Sequence, residues 1–160
     1  YFIYLIYIMN NLNELKDELI QIFNMDKDKY FENVKNALSK YNGNDWKKYI
    51  KINDKSYNRH LYYSSDEFDL IIITWSSGNK CKVHNHPENG CFVKIMDGNI
   101  SEEYYDTKTL QKSSENKYTK NDIMYIDDTI NYHRMCNNND QPCITLHIYS
   151  PGNYVPTFFT

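Results

Sequence analysis

The feature that most restricts the fold is a succession of short alternating or apolar segments between Tyr57 and Tyr149. Gly, Asn and Asp residues separate the segments, and these residue types favour turns. The predicted strands cover residues 57–63, 68–75, 82–86, 91–96, 101–105, 122–126 and 143–149. Many short strands with tight turns between them predict a β-sandwich or β-barrel. Residues 112–121 have no apolar face and are interpreted as a polar hairpin loop.

Residues 78–98 carry the first candidate metal ligands. His84 and His86 are two positions apart, so both rings point to the same side of an extended strand. A turn is predicted after His86, and Cys91 begins the next strand. This segment therefore brings two imidazoles and one thiol into one neighbourhood. Taken alone, two histidines at this spacing fit an exposed polar strand face equally well.

A second histidine segment lies near the end of the chain. It contains His133, and further on Thr145, His147 and Tyr149 alternate with apolar residues and so share one face of a strand. Four of the five histidines of the chain fall in the two segments. Neutral imidazole is a suitable ligand for zinc, copper, iron or nickel. The two segments together predict a metal site.

The spacing in the first segment resembles a known motif. Five residues separate Gly78 from His84, four separate His86 from Cys91, and six separate Cys91 from Gly98. This arrangement is similar to the first cupin motif, with cysteine at the position that usually holds glutamate. The resemblance implies a mostly β fold, a cupin (jelly-roll-like) β-barrel with N-terminal α-helices packed outside it.

The second segment narrows the resemblance to one cupin family. His133 and Asn137, with three residues between them, resemble the end of the second cupin motif. Cysteine at the glutamate position, the HRMCN and LHIYSP segments and the upstream residues 45–61 are together similar to the mammalian-type cysteine dioxygenases. The resemblance covers roughly residues 9–152.

The family resemblance implies an activity and a cofactor. His84, His86 and His133 correspond to residues that hold one Fe(II) per chain, with three positions of the metal left open on one face. The substrates implied are L-cysteine and O2. Both oxygen atoms are added to the sulfur, which gives cysteine sulfinic acid.

The resemblance also assigns substrate-binding roles to Arg59 and Tyr57. Arg59 matches the arginine that binds the substrate carboxylate through its planar two-donor fork. The chain has only one other arginine, Arg134. Arg134 follows a predicted ligand and therefore faces the other way on a strand, so it is interpreted as structural.

Four further residues match catalytic positions of the family. Cys91 and Tyr149 correspond to the pair joined by a thioether cross-link between the sulfur and the phenol ring. Thr145 and His147 resemble the serine and histidine that hydrogen-bond toward this tyrosine, and threonine keeps the hydroxyl. Trp75 is interpreted as a core residue, because aromatic residues at strand spacing usually are.

The segment before the strands predicts helices. Leu12, Leu15, Leu19 and Ile22 recur at helical spacing, and a second set with this spacing ends near Gly43. We expect one cupin domain over residues 1–160, with a helical part at about 11–50 and a barrel at about 56–157. Residues 1–8 are apolar but too short to span a bilayer, and no function is assigned to them.

Composition excludes several classes of protein. The net charge of −3 and the interspersed Lys and Glu argue against nucleic-acid binding. No membrane association is expected. The four cysteines form no CxxC pair, so we interpret them as reduced thiols in a cytoplasmic protein. We expect a monomer.

Two alternatives to the main interpretation stay open. The first is a related thiol dioxygenase that acts on 3-mercaptopropionate, which also carries a carboxylate for Arg59. The second is a non-catalytic metal-binding cupin. Arg59 argues against aminoethanethiol as the substrate, because that thiol has no carboxylate.

Overall fold

The computed structural model describes residues 8–25 and 30–159. It divides into two compact units between Lys48 and Tyr49. The single domain over residues 1–160 therefore stays a prediction. Most of the apolar segment at residues 1–8 lies outside the described residues. In the part of the chain that is described, no helix is both long enough and apolar enough to cross a bilayer.

The first unit contains the two helices that the sequence predicts. Helix α1 spans Leu12–Phe23 and begins at Asn11, whose side chain accepts a hydrogen bond from the backbone N–H of Glu14 at 3.0 Å. Helix α2 spans Tyr30–Lys40. Each helix buries an apolar stripe, which confirms the predicted amphipathic pattern. A short 3₁₀ helix follows at Asp45–Tyr49.

The second unit is built from short strands. In chain order they are β1 (Asn58–Ser64), β2 (Asp69–Trp75), β3 (Val83–His84), β4 (Cys91–Asp97), β5 (Asn99–Tyr105), β6 (Lys112–Thr119), β7 (Ile123–Ile126), β8 (Tyr132–Cys136), β9 (Cys143–Tyr149) and β10 (Phe158–Phe159). The seven strands predicted from the sequence are all present, within a few residues of their predicted bounds.

These strands form two five-stranded sheets among the described residues. The first sheet has the order β1-β2-β9-β4-β7 and the second has the order β10-β3-β8-β5-β6. The neighbouring strands run antiparallel, and many neighbours are far apart in the sequence. This topology is jelly-roll-like, as predicted, although the sheets stay separate and do not close into one barrel.

The prediction of a polar loop at residues 112–121 is wrong. Most of this segment is β6, which pairs with β5 along its whole length at the edge of the second sheet. Nearly all of its side chains are exposed. An edge strand without a buried face has no apolar alternation, so the sequence carries no periodic signal for it.

The core of the second unit contains residues from both sheets. Ile73 and Val93 of the first sheet belong to one buried cluster with Ile100 and Met135 of the second. Tyr149 belongs to the same cluster, so the alternate positions of β9 face this core. Polar residues at those positions therefore lie inside the unit, where the candidate site is found.

Candidate metal centre and pocket

Three buried histidines of the second sheet converge on one point. His84 ends β3 and lies directly opposite His133 of β8, while His86 follows β3 by two residues. The candidate ligand atoms of the three rings lie within 4.8 Å of one another. The Nε2 atoms of His84 and His133 are 3.2 Å apart. We refer to His84, His86 and His133 as the histidine cluster.

Two members of the cluster are held through Nδ1 by local partners. Nδ1 of His84 lies 2.9 Å from the backbone carbonyl oxygen of Lys82. Asp128 accepts the backbone N–H of His86 at 2.7 Å and lies 3.1 Å from its Nδ1. His86 lies beyond the end of β3, although the sequence predicts it within that strand. Its backbone N–H therefore bonds to the carboxylate of Asp128 and not to a neighbouring strand. Such partners fix the orientation of a metal-binding imidazole.

The third member is held by a buried carboxylate. Nδ1 of His133 lies 2.5 Å from Oε1 of Glu102, which is fully buried on β5. The other carboxylate oxygen of Glu102 accepts a hydrogen bond from Tyr104, whose hydroxyl lies 3.1 Å from that of Tyr118. Burial raises the pKa of Glu102 to about 7, against the lowering effect of the two tyrosine hydroxyls.

The residues of the cluster fit a metal ion. Nε2 of His86 is buried and, among the described residues, has no hydrogen-bond partner. Burial, and then the neighbouring histidines, hold the pKa of His84 and His133 well below the usual value, so both rings are neutral at neutral pH. Three imidazoles whose ligand nitrogens lie within 4.8 Å of one another match the ligands that transition metals prefer. An unpaired buried nitrogen costs free energy unless a ligand such as a metal occupies it.

A row of polar side chains lies on the inner face of β9, in the first sheet. Nε2 of His147 lies 2.8 Å from the hydroxyl oxygen of Thr145. Nδ1 of His147 lies 3.4 Å from the hydroxyl oxygen of Tyr149. Burial holds the pKa of His147 well below its usual value and that of Tyr149 well above, so both side chains are neutral at neutral pH.

Cys91 lies directly opposite Tyr149 in the pairing of β4 with β9. Both side chains approach the same ring nitrogen, Nδ1 of His147, which lies 3.7 Å from the sulfur of Cys91 and 3.4 Å from the hydroxyl oxygen of Tyr149. Burial raises the pKa of the Cys91 thiol, so the sulfur carries its proton at neutral pH. All four cysteines are free and buried.

Arg59 and two members of the histidine cluster, His84 and His133, line the same pocket. Tyr149 and His147 line it as well. The guanidinium carbon of Arg59 lies 5.6 Å from the centre of the Tyr149 ring. Within residues 8–25 and 30–159, no carboxylate lies within ion-pair distance of Arg59. Its fork is thus available to an anionic ligand.

The remaining walls of the pocket are aromatic and apolar. Tyr57 is half-buried and stacks on Trp75, with ring centres 4.7 Å apart. Pro156 and Phe158 also line the pocket, and Phe158 of β10 is paired with His84 of β3. The pocket therefore has a cationic group, buried imidazoles and an apolar wall, which suits a small ligand with one anionic end.

Residues 8–157 match the family model described as cysteine dioxygenase type I. The chain belongs to this family. Cysteine dioxygenase type 1 of Rattus norvegicus is 33% identical over 129 residues, which are 75% of this chain and 64% of the rat protein. Its counterpart in Danio rerio is 31% identical over 150 residues, covering 88% of this chain and 74% of that protein. The chain thus spans a little under two thirds of the rat enzyme.

Solved structures show that the fold of this cysteine dioxygenase family member is the cupin fold. A conserved protein from Klebsiella pneumoniae with a double-stranded β-helix domain matches with a TM-score of 0.62 at 14% identity, over 73% of this chain and 96% of its own. A cupin superfamily protein from Desulfitobacterium hafniense matches with a TM-score of 0.52 at 12% identity, over 68% and 90%. At these identities the matches show the fold alone.

The structure brings the site residues predicted for this family member into one region. The histidine cluster is formed, and Arg59, Tyr57, His147 and Tyr149 line one pocket. Cys91 and Thr145 lie against this wall through their contacts with His147. Arg134 makes an ion pair with Glu103, in agreement with a structural role.

Three contributions were missed by the reasoning from sequence. Glu102 and Asp128 hold two of the candidate ligands, and Trp75 donates a hydrogen bond to Thr145 in addition to its place in the core. Of these three residues, only Glu102 could have been recognised from a local pattern, because it occupies an inward position of β5 between Ile100 and Tyr104.

Proposed function

We propose that this chain is a non-haem Fe(II) thiol dioxygenase that converts L-cysteine to cysteine sulfinic acid. The observation that carries the proposal is that two members of a three-histidine cluster share one pocket with Arg59, which has no carboxylate partner among the described residues. Histidine ligands, unlike a carboxylate, bring no negative charge to a bound metal, which favours an anionic thiolate as a further ligand. The names of the relatives support the same activity.

The proposed reaction is balanced without an external reductant. Cysteine and O2 combine so that the S–H group becomes SO2H, and the four electrons that sulfur loses are the four that dioxygen gains. Iron(II), held by the histidine cluster, supplies the redox chemistry that allows dioxygen to react with the sulfur. The protein binds cysteine, orients it and limits the access of water.

Arg59 is proposed to bind the substrate carboxylate. A guanidinium fork donates two parallel hydrogen bonds to a carboxylate, which fixes the direction of the substrate as well as its affinity. Tyr57, beside it on the pocket wall, is proposed to contact the substrate as well. Binding the carboxylate at Arg59 directs the thiol end of cysteine toward the buried histidines.

Cys91 and Tyr149 are proposed to become joined by a thioether bond. The sulfur–carbon bond replaces the S–H bond of Cys91 and one ring C–H bond of Tyr149, and the two electrons and two protons released pass to dioxygen. The directly opposed positions of the two residues and the neutral, buried thiol support this proposal. The bond removes a thiol that competes with the substrate and fixes the phenol in place.

A second substrate has some support from the structure. Arg59 suits any small thiol that carries a carboxylate, so 3-mercaptopropionate fits the same end of the pocket. Aminoethanethiol lacks the carboxylate and leaves Arg59 without a ligand. We further propose that the protein is cytosolic, as the four free and buried cysteines suggest.

The proposed function is tested by loading the purified protein with Fe(II) under anaerobic conditions and then adding oxygen. Oxygen uptake and sulfinate formation are measured in parallel with cysteine, 3-mercaptopropionate and aminoethanethiol. We expect one sulfinate per O2 consumed, with cysteine used best and aminoethanethiol worst. His86→Ala, prepared in the same way, is the inactive control. Iron that binds without any sulfinate formation would instead indicate the non-catalytic metal-binding cupin.

A further inference from the structure

Trp75 makes a polar contact in addition to its packing in the core. Its indole N–H donates a hydrogen bond of 2.8 Å to the hydroxyl oxygen of Thr145. Both side chains are almost fully buried, at 1% and 0% exposure, so water cannot replace this bond. An indole nitrogen can only donate, and its hydrogen therefore occupies one lone pair of the Thr145 oxygen.

The contact determines where the hydroxyl hydrogen of Thr145 points. Among the described residues, that oxygen has two polar neighbours, the Trp75 nitrogen and Nε2 of His147, each at 2.8 Å. Since Trp75 cannot accept, the hydroxyl hydrogen is satisfied only by donation to Nε2 of His147. A neutral imidazole that accepts at Nε2 carries its own hydrogen on Nδ1.

The direction of hydrogen bonding continues from His147 to the phenol of Tyr149. Nδ1 of His147 lies 3.4 Å from the hydroxyl oxygen of Tyr149 and so donates to it. The phenol oxygen accepts from the imidazole, and its own hydrogen stays available for a group on the other side. Nδ1 also lies 3.7 Å from the sulfur of Cys91, but because this nitrogen carries a hydrogen it cannot accept from the phenol, and Tyr149 lines the pocket.

We propose that Trp75 is a positioning residue that sets the proton order of the row Thr145–His147–Tyr149, so that the Tyr149 hydroxyl acts as a hydrogen-bond donor toward the pocket. Trp75 touches neither the proposed metal nor the substrate by a polar atom, and it acts through Thr145. The proton order is a property of the protein alone. Only its use, donation to a bound substrate or oxygen atom, rests on the proposed function.

The order is measured directly by nitrogen-15 NMR of histidine-labelled, metal-free protein at neutral pH. Protonated and unprotonated ring nitrogens have well-separated shifts, and the His147 signals are assigned with a His147→Gln variant. In the unaltered protein we expect the hydrogen of His147 on Nδ1. In Trp75→Phe we expect a mixture of the two tautomers, because the Thr145 hydroxyl is then free to accept from Nε2.

Two variants make this test specific. Trp46→Phe removes the other tryptophan of the chain, which donates to the backbone oxygen of Gly43, and leaves the His147 signals unchanged. Thr145→Val removes the hydroxyl and should reproduce the Trp75→Phe spectrum. If Trp75→Phe does not fold, Thr145→Val still reports whether the hydroxyl sets the tautomer, and an unchanged spectrum in that variant overturns the proposal.

A kinetic measurement separates this inference from the proposed function. In the iron-loaded protein, Trp75→Phe should lower kcat about tenfold while the KM for cysteine stays the same, a typical effect of losing an outer hydrogen-bond partner. A hydrogen found on Nε2 of His147 in the unaltered protein overturns the inference even if the protein oxidises cysteine. A hydrogen found on Nδ1 supports it even if the protein proves to have another substrate.

Discussion

Replacing Arg59 by glutamine removes the guanidinium from the pocket and leaves the histidine cluster unaltered. A hydrogen bond to a charged group contributes about 1.5–3 kcal/mol. Arg59 is exposed at the pocket mouth, and solvent screening therefore places the loss near the lower end, about 1.5–2 kcal/mol. At about 1.4 kcal/mol for each factor of ten, the KM for cysteine should rise roughly 10- to 30-fold. The kcat should change much less, because the carboxylate is bound equally in the ground and transition states.

The assay compares cysteine with aminoethanethiol in the iron-loaded protein. Aminoethanethiol has no carboxylate, so its kcat/KM should be almost the same in Arg59→Gln as in the unaltered protein. Arg59→Lys keeps the charge without the planar fork, and we expect an intermediate KM for cysteine. Iron content, measured on each preparation, should be equal in all three proteins.

Two results would refute this reasoning. An unchanged KM for cysteine in Arg59→Gln would show that the carboxylate binds elsewhere. An equal loss of kcat/KM for both thiols would show that the substitution disturbs the pocket as a whole. In either case Arg59 would keep only its contact with the ring of Tyr149.

Three further outcomes follow from the structure. Alanine at any one position of the histidine cluster should abolish stoichiometric iron binding, as measured by metal analysis. Asp128→Ala should weaken iron binding about 10- to 100-fold. A histidine variant that keeps its full iron content identifies a residue outside the ligand set. Turnover with iron, cysteine and oxygen should produce protein two hydrogens lighter in intact mass, with a linked Cys91–Tyr149 peptide after digestion, and the absence of this peptide after repeated turnover contradicts the cross-link. Gly90→Ala should lower the free energy of unfolding, measured by denaturant titration, by about 1–3 kcal/mol more than Gly78→Ala. Both glycines have a φ of +75°, but a Cβ at residue 90 would lie 2.6 Å from a backbone oxygen, whereas one at residue 78 meets no atom within 4 Å. Equal losses would show that φ alone decides the cost.

The family motif and the period of two gave most of the fold and the residues of the pocket. Alternation works for strands such as β9, because successive side chains point to opposite faces of a sheet, so Thr145, His147 and Tyr149 share one face. It fails for β6, whose side chains are nearly all exposed. Local periodicity also cannot predict whether the sheets close into a barrel, since that depends on which strands pair.

The carboxylates that bind the histidines could not be predicted from the sequence for a different reason. Asp128 lies 42 positions from His86 in the sequence, and Glu102 lies 31 positions from His133. No local pattern encodes which distant carboxylate will meet which imidazole. Trp75 likewise meets Thr145 across 70 positions, and from the sequence its indole N–H could not be distinguished from that of any buried tryptophan.

The two halves of the pocket belong to different sheets. The histidine cluster is held by strands and loops of the second sheet, whereas Arg59, His147 and Tyr149 belong to the first. The distance between the two halves therefore depends on the apolar side chains packed between the sheets. Mutation of that packing could retune the reaction while every polar residue of the site stays the same. New substrate preferences could thus arise in this fold through volume alone.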